Sequence, residues 1–200
     1  MSPSPELKQD RARRTRQALL RAASEAFAEN GYRATSMTEI AARAKVAKGA
    51  LTFHFPAKGE IAAAIVADFY DRWPALIDRL RGESDGPLDT IWAVLSALAE
   101  EFEHDPLVRG AVRLQAERNV IDVELPAPYT GWINAFTELY ADARAAGELR
   151  PGLVPEELAR ITAAAFFGVQ HVSDARTDRV DLAERTDELV RLLTLAVQAG

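Results

Sequence analysis

Between Asn30-Gly31 and Pro56 the chain has room for two short helices and little else. Glycine tolerates the left-handed conformation past a helix end. Asn30-Gly31 therefore stops a first helix predicted over about Asp10 to Glu29, whose apolar stripe is Leu19, Ala22, Ala23, Ala26 and Phe27. Ser36-Met37-Thr38-Glu39 then reads as a capping box, with Ser36 accepting from an orphan backbone N–H and Glu39 reaching back. It opens a short helix ending near Ala44. After a turn at Lys45-Val46, a third helix covers about Ala47 to His54, and Pro56 forbids much extension. Two short helices joined by a tight turn, behind a longer one, form a helix-turn-helix pattern.

Charge singles out the same segment. Residues 1–60 carry eleven Lys+Arg against six Asp+Glu, whereas residues 61–200 carry thirteen against twenty-four. All four lysines (Lys8, Lys45, Lys48, Lys58) lie in the first stretch. A basic module on an acidic body points to a polyanionic partner for the module alone. The third helix begins with small residues, Ala47, Gly49 and Ala50, so its N-terminal end can approach base edges closely. Leu51, with Phe53 or Phe55, must anchor it from behind. Lys48, Thr52, His54 and Lys58 can face the DNA backbone or bases. Arg14, with Arg11, Arg13 and Arg16, can reach a minor groove or phosphates.

Helical punctuation continues to the end, and no sustained two-residue alternation predicts a strand. A long helix is expected from about Lys58 toward Leu80, with a kink at Pro74. Further helices carry Ile91, Leu95, Leu98 and Phe102; then Leu107, Ala111 and Leu114 after Asp105-Pro106; then Trp132, Ile133, Phe136, Leu139 and Tyr140. One after Pro155 is apolar on more than one side, with Leu158, Ile161, Ala165 and Val169 flanked by Phe166 and Phe167. A last helix runs from about Leu182 to Val197. The expected fold is all-α with about nine helices: a DNA-binding domain over 1–56, and a ligand-binding and dimerisation bundle over 57–200. Breadth of apolar surface over 155–173, with the stripe Leu182, Leu189, Leu192 and Val197, predicts a two-helix homodimer interface.

Several classes find no support. With no cysteine there is no disulfide framework or thiolate metal site, and three scattered histidines make a poor metal set. No apolar run is long enough to span a membrane, and the polar start carries no secretory signal, so a cytoplasmic protein is expected. Nucleophile-elbow, Walker and dinucleotide motifs are absent. No catalytic residue, metal or cofactor is expected.

The stretch TRQALLRAASEAFAENGYRATSMTEIAARAKVAKGALTFHFPAKGEIAAAI resembles the N-terminal signature of the tetracycline-repressor (TetR) family of transcriptional regulators. The segments beginning at Phe69-Tyr70, Val112-Arg113, Pro126-Ala127, Gly147-Glu148 and Ala164-Ala165 resemble the γ-butyrolactone autoregulator receptors of actinomycetes. The resemblance covers nearly the whole chain. It implies a homodimeric repressor on pseudo-palindromic operator DNA near antibiotic-biosynthesis genes. A small diffusible lactone, or a related butenolide or furan, would release it. The chain departs from the family pattern with Lys45 for a turn glycine, Thr52 for tyrosine, and Ala57-Lys58-Gly59-Glu60 for Ser-Lys-Glu-Glu. Lys45 brings a charge close to DNA at a position that invites a positive φ.

A small apolar effector needs an apolar cavity with a few polar anchors. Candidate walls are Phe69, Trp73, Trp92, Leu95, Trp132, Phe136 and Phe166; candidate anchors are Gln115, Thr162 and Tyr140. By the resemblance, Trp132 holds the position of a pocket tryptophan. Two other readings stay open: a pseudo-receptor answering to an antibiotic or biosynthetic intermediate, and a helical binding or enzymatic module with a degenerate DNA head.

Overall fold

The first helix begins earlier than expected and breaks where expected. In the computed structural model, which describes residues 5–199, α1 spans Pro5–Ala34, and Gly31 (φ 76°, ψ 172°) interrupts its ladder. The Ser/Pro start and Gly200 lie outside the described residues, as do the side chains of residues 5–8, Lys8 included. There follow α2 (Met37–Arg43), α3 (Lys48–His54), α4 (Lys58–Asp71), α5 (Trp73–Glu83), α6 (Pro87–His104) and α7 (Pro106–Ala116). A 3₁₀ turn at Arg118–Val120 precedes α8 (Thr130–Ala145), α9 (Pro155–Thr177) and α10 (Leu182–Val197). Among the described residues the only β pairing is an isolated bridge between Leu149 and Gln198. The chain is all-α.

The helix expected over Lys58 to Leu80 is two. Proline lacks an N–H and its ring clashes with the carbonyl four residues back. The ladder accordingly parts at Arg72, and Trp73-Pro74 opens α5. Counting α4 and α5 as one kinked helix gives the nine expected. Asp105 caps α7 by accepting from Leu107 N at 2.8 Å, and Pro155 opens α9.

The chain divides into two compact units. One holds the chain through Asp71 together with Asp105–Pro126; the other holds Arg72–His104 and the chain from Ala127 on. In the first, Leu19, Ala23 and Phe27 of α1, Ile40, Leu51 and Ile61 are fully buried. Here α1 meets α7 at Gly110, where a Cβ would lie 2.8 Å from Ser24 Cα, a separation that only glycine allows. Gly59, at the start of α4, is buried: a Cβ there would lie 3.0 Å from Val123 Cγ1.

The second unit is built on rings. Phe102 of α6 meets Phe166 of α9 edge-to-face at 5.5 Å, and Trp132, Phe136 and Tyr140 of α8 are buried. Full burial of such a side chain stabilises by roughly 1.5–3 kcal/mol. Arg179 is only 5% exposed; its Nε donates to Asp174 at 2.7 Å and Nη1 to the Phe102 carbonyl at 3.0 Å. The expected outward stripe on α10 needs correction. Leu182 and Val197 are buried, and the exposed pair is Leu192 and Leu195. On α9 the outward face is Ile161, Ala164, Gly168 and Val172.

Candidate nucleic-acid interface and effector core

The turn between α2 and α3 is set by hydrogen bonds. Ser36 Oγ accepts from Glu39 N at 3.1 Å, as the capping box predicts, and the Glu39 carboxylate accepts from Asn30 Nδ2 at 3.0 Å. At the other end of α2, Val46 N donates to Ala41 O at 3.0 Å and Lys45 N to Ala42 O at 3.1 Å. That pair of bonds is a Schellman motif, whose left-handed position usually belongs to glycine. Lys45 holds it with φ 55°. The cost of a left-handed non-glycine residue is on the order of 1 kcal/mol. The bonds deliver the chain to Ala47, which stands in extended conformation before α3.

Leu51 and Phe55, one turn apart, bury the inner side of α3. Arg16 lies over the Phe55 ring at 5.2 Å. Of the two anchors the sequence left open, Phe55 takes the role, and Phe53 is 82% exposed. Arg14, Ser36, Lys45, Ala47, Lys48, Gly49 and Thr52 are exposed, and Ala50 and His54 half-buried. Lys45 and Lys48 make no ion pair among the described residues, whereas Arg43 is held by Glu29 and Glu39. Thr52 Oγ1 donates to Lys48 O at 3.0 Å, so its hydroxyl proton is turned to its own helix.

Lys58 departs from expectation. Its ammonium donates to Tyr32 O at 2.7 Å and Thr35 O at 2.8 Å and lies 4.3 Å from the Tyr32 ring centroid. Burial lowers its pKa, with Asp122 acting the other way. The Tyr32 and Thr35 carbonyls lie at the C-terminal end of α1, where helical partners run out, and Lys58 donates to both rather than projecting outward. Glu117, which sequence reasoning missed, serves the same helix end: its Oε2 accepts from Tyr32 N at 2.7 Å, across 85 positions of sequence. A Cβ at Gly31 would lie 2.7 Å from Glu117 Oε1.

The effector candidates divide between the units. Phe69 and Gln115 belong to the first; Trp73, Trp92, Leu95, Trp132, Phe136, Thr162 and Phe166 belong to the second. Gln115 Nε2 donates to Pro126 O at 3.1 Å, and its Oε1 is buried with no hydrogen-bond partner among the described residues. In the second unit the Trp73 and Trp132 rings lie 4.6 Å apart, and Trp132 and Phe136 6.1 Å. Leu95 and Phe166 are buried and Trp92 is half-buried. Tyr140 and Thr162, both fully buried, share a 2.8 Å hydrogen bond. Burial pushes the Tyr140 hydroxyl up to about 12, against the opposing bond to Thr162, so it remains protonated. Two hollows open beside this core. One of about 640 Å³ lies between α9 and α10, and one of about 380 Å³ between α8 and α9 beside Tyr129, Arg160 and Phe167. None of the expected effector residues lines either.

Residues 19–65 match the family model described as bacterial regulatory proteins, tetR family. Over 185 residues, 92% of this chain, the sequence is 34% identical to the A-factor receptor protein of Streptomyces griseus, of whose length it spans 64%. A solved structure described as the molecular basis for control of antibiotic production by bacterial hormones is 45% identical. Its TM-score is 0.88, over 93% of this chain and 98% of that one. Full-length TylP, a TetR regulator from Streptomyces fradiae, is 34% identical with TM-score 0.75, over 92% of this chain and 87% of that one. These matches extend through the C-terminal body, well beyond the helix-turn-helix.

Proposed function

The chain belongs to the TetR family of bacterial regulatory proteins, and from that premise we propose that it is a transcriptional repressor released from operator DNA by a small diffusible lactone-type signal. The observation that carries this reading is the outward side of α3: small residues and a Lys48 exposed and without an ion pair among the described residues, held at a fixed angle to α2 by the Lys45 turn. The DNA-reading residues fall within 1–56, and effector binding and the pairing of two copies fall within 57–200, of which 57–71 and 105–126 belong to the same unit as the DNA-reading helices. The exposed Ile161, Gly168 and Val172 of α9 with Leu192 and Leu195 of α10 support that pairing. A two-fold dimer spaces its recognition helices about 34–36 Å apart, or a multiple, and so reads a pseudo-palindromic operator. This role places the protein in the cytoplasm, beside the genes of antibiotic biosynthesis.

The effector site centres on Trp132. An indole is flat, apolar and a hydrogen-bond donor, which suits a γ-butyrolactone, butenolide or furan. The chain passes between the two units at Asp71–Arg72, His104–Asp105 and Pro126–Ala127. Effector binding in the bundle is relayed to the head through these three crossings, with negative coupling between effector and DNA. Moving the protein from 99% to 1% operator-competent requires the effector to favour the released state by about 5.5 kcal/mol.

The test is titration of a preformed protein–operator complex with synthetic γ-butyrolactones, butenolides and furans, and separately with antibiotics. Release by a lactone-type compound, weakened in Trp132→Phe without loss of operator affinity, is the expected result. Release by antibiotics alone establishes the pseudo-receptor reading instead, and equal midpoints for both proteins remove Trp132 from the site.

A further inference from the structure

Phe53 is the most exposed large hydrophobic residue among those described, at 82%. It sits at the next-to-last position of α3, and its exposure is not a fraying effect, since Leu51 and Phe55 on either side are buried. Residue 53 lies about 200° around the helix from Leu51, on the side turned from the core. Helical side chains lean over the turn that precedes them, and for Phe53 that turn contains Gly49. A Cβ at Gly49 would meet nothing within 4 Å. The ring therefore stands clear of Gly49, and the backbone there is bare. His54 braces it edge-to-face, the ring centroids 5.4 Å apart. Beside it the Thr52 hydroxyl proton is directed to Lys48 O. The most exposed point of this surface is therefore an aromatic ring, with the His54 imidazole against it.

A ring without donors or acceptors cannot read the nitrogen and oxygen edges that bases present in the major groove. One base feature there is apolar, the C5-methyl group of thymine. We propose that Phe53 is a specificity-determining residue that packs against a thymine methyl in each operator half-site. The proposal rests on the DNA-binding reading above. It adds to it a requirement for thymine at one symmetric position, imposed by apolar contact alone.

The test begins with selection of duplexes from a randomised library by the full-length wild-type chain. Each thymine of the selected site is then replaced by deoxyuridine, which removes one methyl and leaves base pairing intact. At one thymine per half-site this should weaken wild-type binding about fourfold, the worth of one buried methyl group. Phe53→Ala should bind thymine and uracil duplexes alike at that position and, in a fresh selection, lose the thymine preference there. Phe53→Leu, which keeps an apolar tip, should retain part of the discrimination. Unchanged far-UV dichroism and melting of both variants are expected from the ring's exposure. Wild-type binding indifferent to uracil at every position overturns the proposal, even if Phe53→Ala weakens binding; the ring would then pack on sugars without regard to sequence. Phe53→Ala binding like wild type also overturns it. A wild-type chain that selects no duplex overturns the DNA-binding reading, and this proposal with it.

Discussion

Both units bury an apolar core, and they differ in what is added to it. In the first, polar groups from distant parts of the chain converge on the break at Gly31. Lys58 bonds the Tyr32 and Thr35 carbonyls, Glu117 takes the Tyr32 N–H, and the buried Thr35 hydroxyl donates to Gly31 O at 2.8 Å. Hydrogen bonds are directional and lose strength quickly when tilted, so they hold the end of α1 at one angle to α4 and α7. In the second unit, rings from α5, α6, α8 and α9 pack on one another, with centroids 4.6–6.1 Å apart in the pairs Trp73–Trp132, Phe102–Phe166 and Trp132–Phe136. Such pairs favour offset and edge-to-face geometries, each worth about 0.5–1.5 kcal/mol beyond the burial of the rings. On the reading proposed above, a head that reads DNA keeps one geometry, whereas a core that admits a signal molecule yields to it.

The largest effect is expected at the reading surface. Gly49→Glu places a carboxylate against phosphate where a Cβ meets open space, so the fold should be intact while operator affinity falls by roughly two orders of magnitude. A mobility-shift titration beside a thermal melt checks both halves, and normal binding would mean that α3 does not enter the groove. Next comes the polar clasp. Glu117→Ala leaves Tyr32 N without its carboxylate and should cost about 1.5–3 kcal/mol in urea unfolding. If the first unit owes its rigidity to this clasp, amide exchange near Tyr32 should accelerate while the α8 amides stay protected.

In the aromatic core the buried polar link is weaker. Tyr140→Phe keeps the ring and strands the Thr162 hydroxyl, at a cost of about 1 kcal/mol. Because the ring and its packing are kept, that loss should leave operator affinity unchanged; a matching loss of DNA binding would blur the distinction between the units. The smallest effect should have the opposite sign. Lys45→Gly relieves a left-handed lysine and should stabilise the protein by about 0.5–1 kcal/mol. It should also make DNA binding less sensitive to salt, lowering the slope by about 0.9 for each phosphate the lysine neutralises.

Features set by neighbours in sequence are legible in the chain itself. Ser36, Asn30-Gly31, Asp105-Pro106 and Pro155 act within one helical turn, and their caps, stops and first turns stand where expected. Pro74 signals a kink, but the break falls two residues earlier, because a proline's clash falls on the turn before it. Phe53 and Phe55 look equivalent by composition. Helical spacing from Leu51 separates them, since residues four apart share a face and residues two apart do not.

Sequence alone determined the all-α class, the helix-turn-helix and the family, because each rests on local periodicity, capping and an ordered motif. Tertiary structure alone decided what Lys58 and Glu117 do. Read along the chain, one is a basic residue near a DNA-reading helix and the other an acid at a helix end. Both are drawn to the end of α1, at Tyr32, because a helix end leaves backbone donors and acceptors that must find partners, and only the folded chain brings a partner across 85 positions. The outward face of α10 was decided in the same way: Leu182, Leu192, Leu195 and Val197 are alike in sequence, and which of them faces the core depends on how the helix is rotated against α6 and α9.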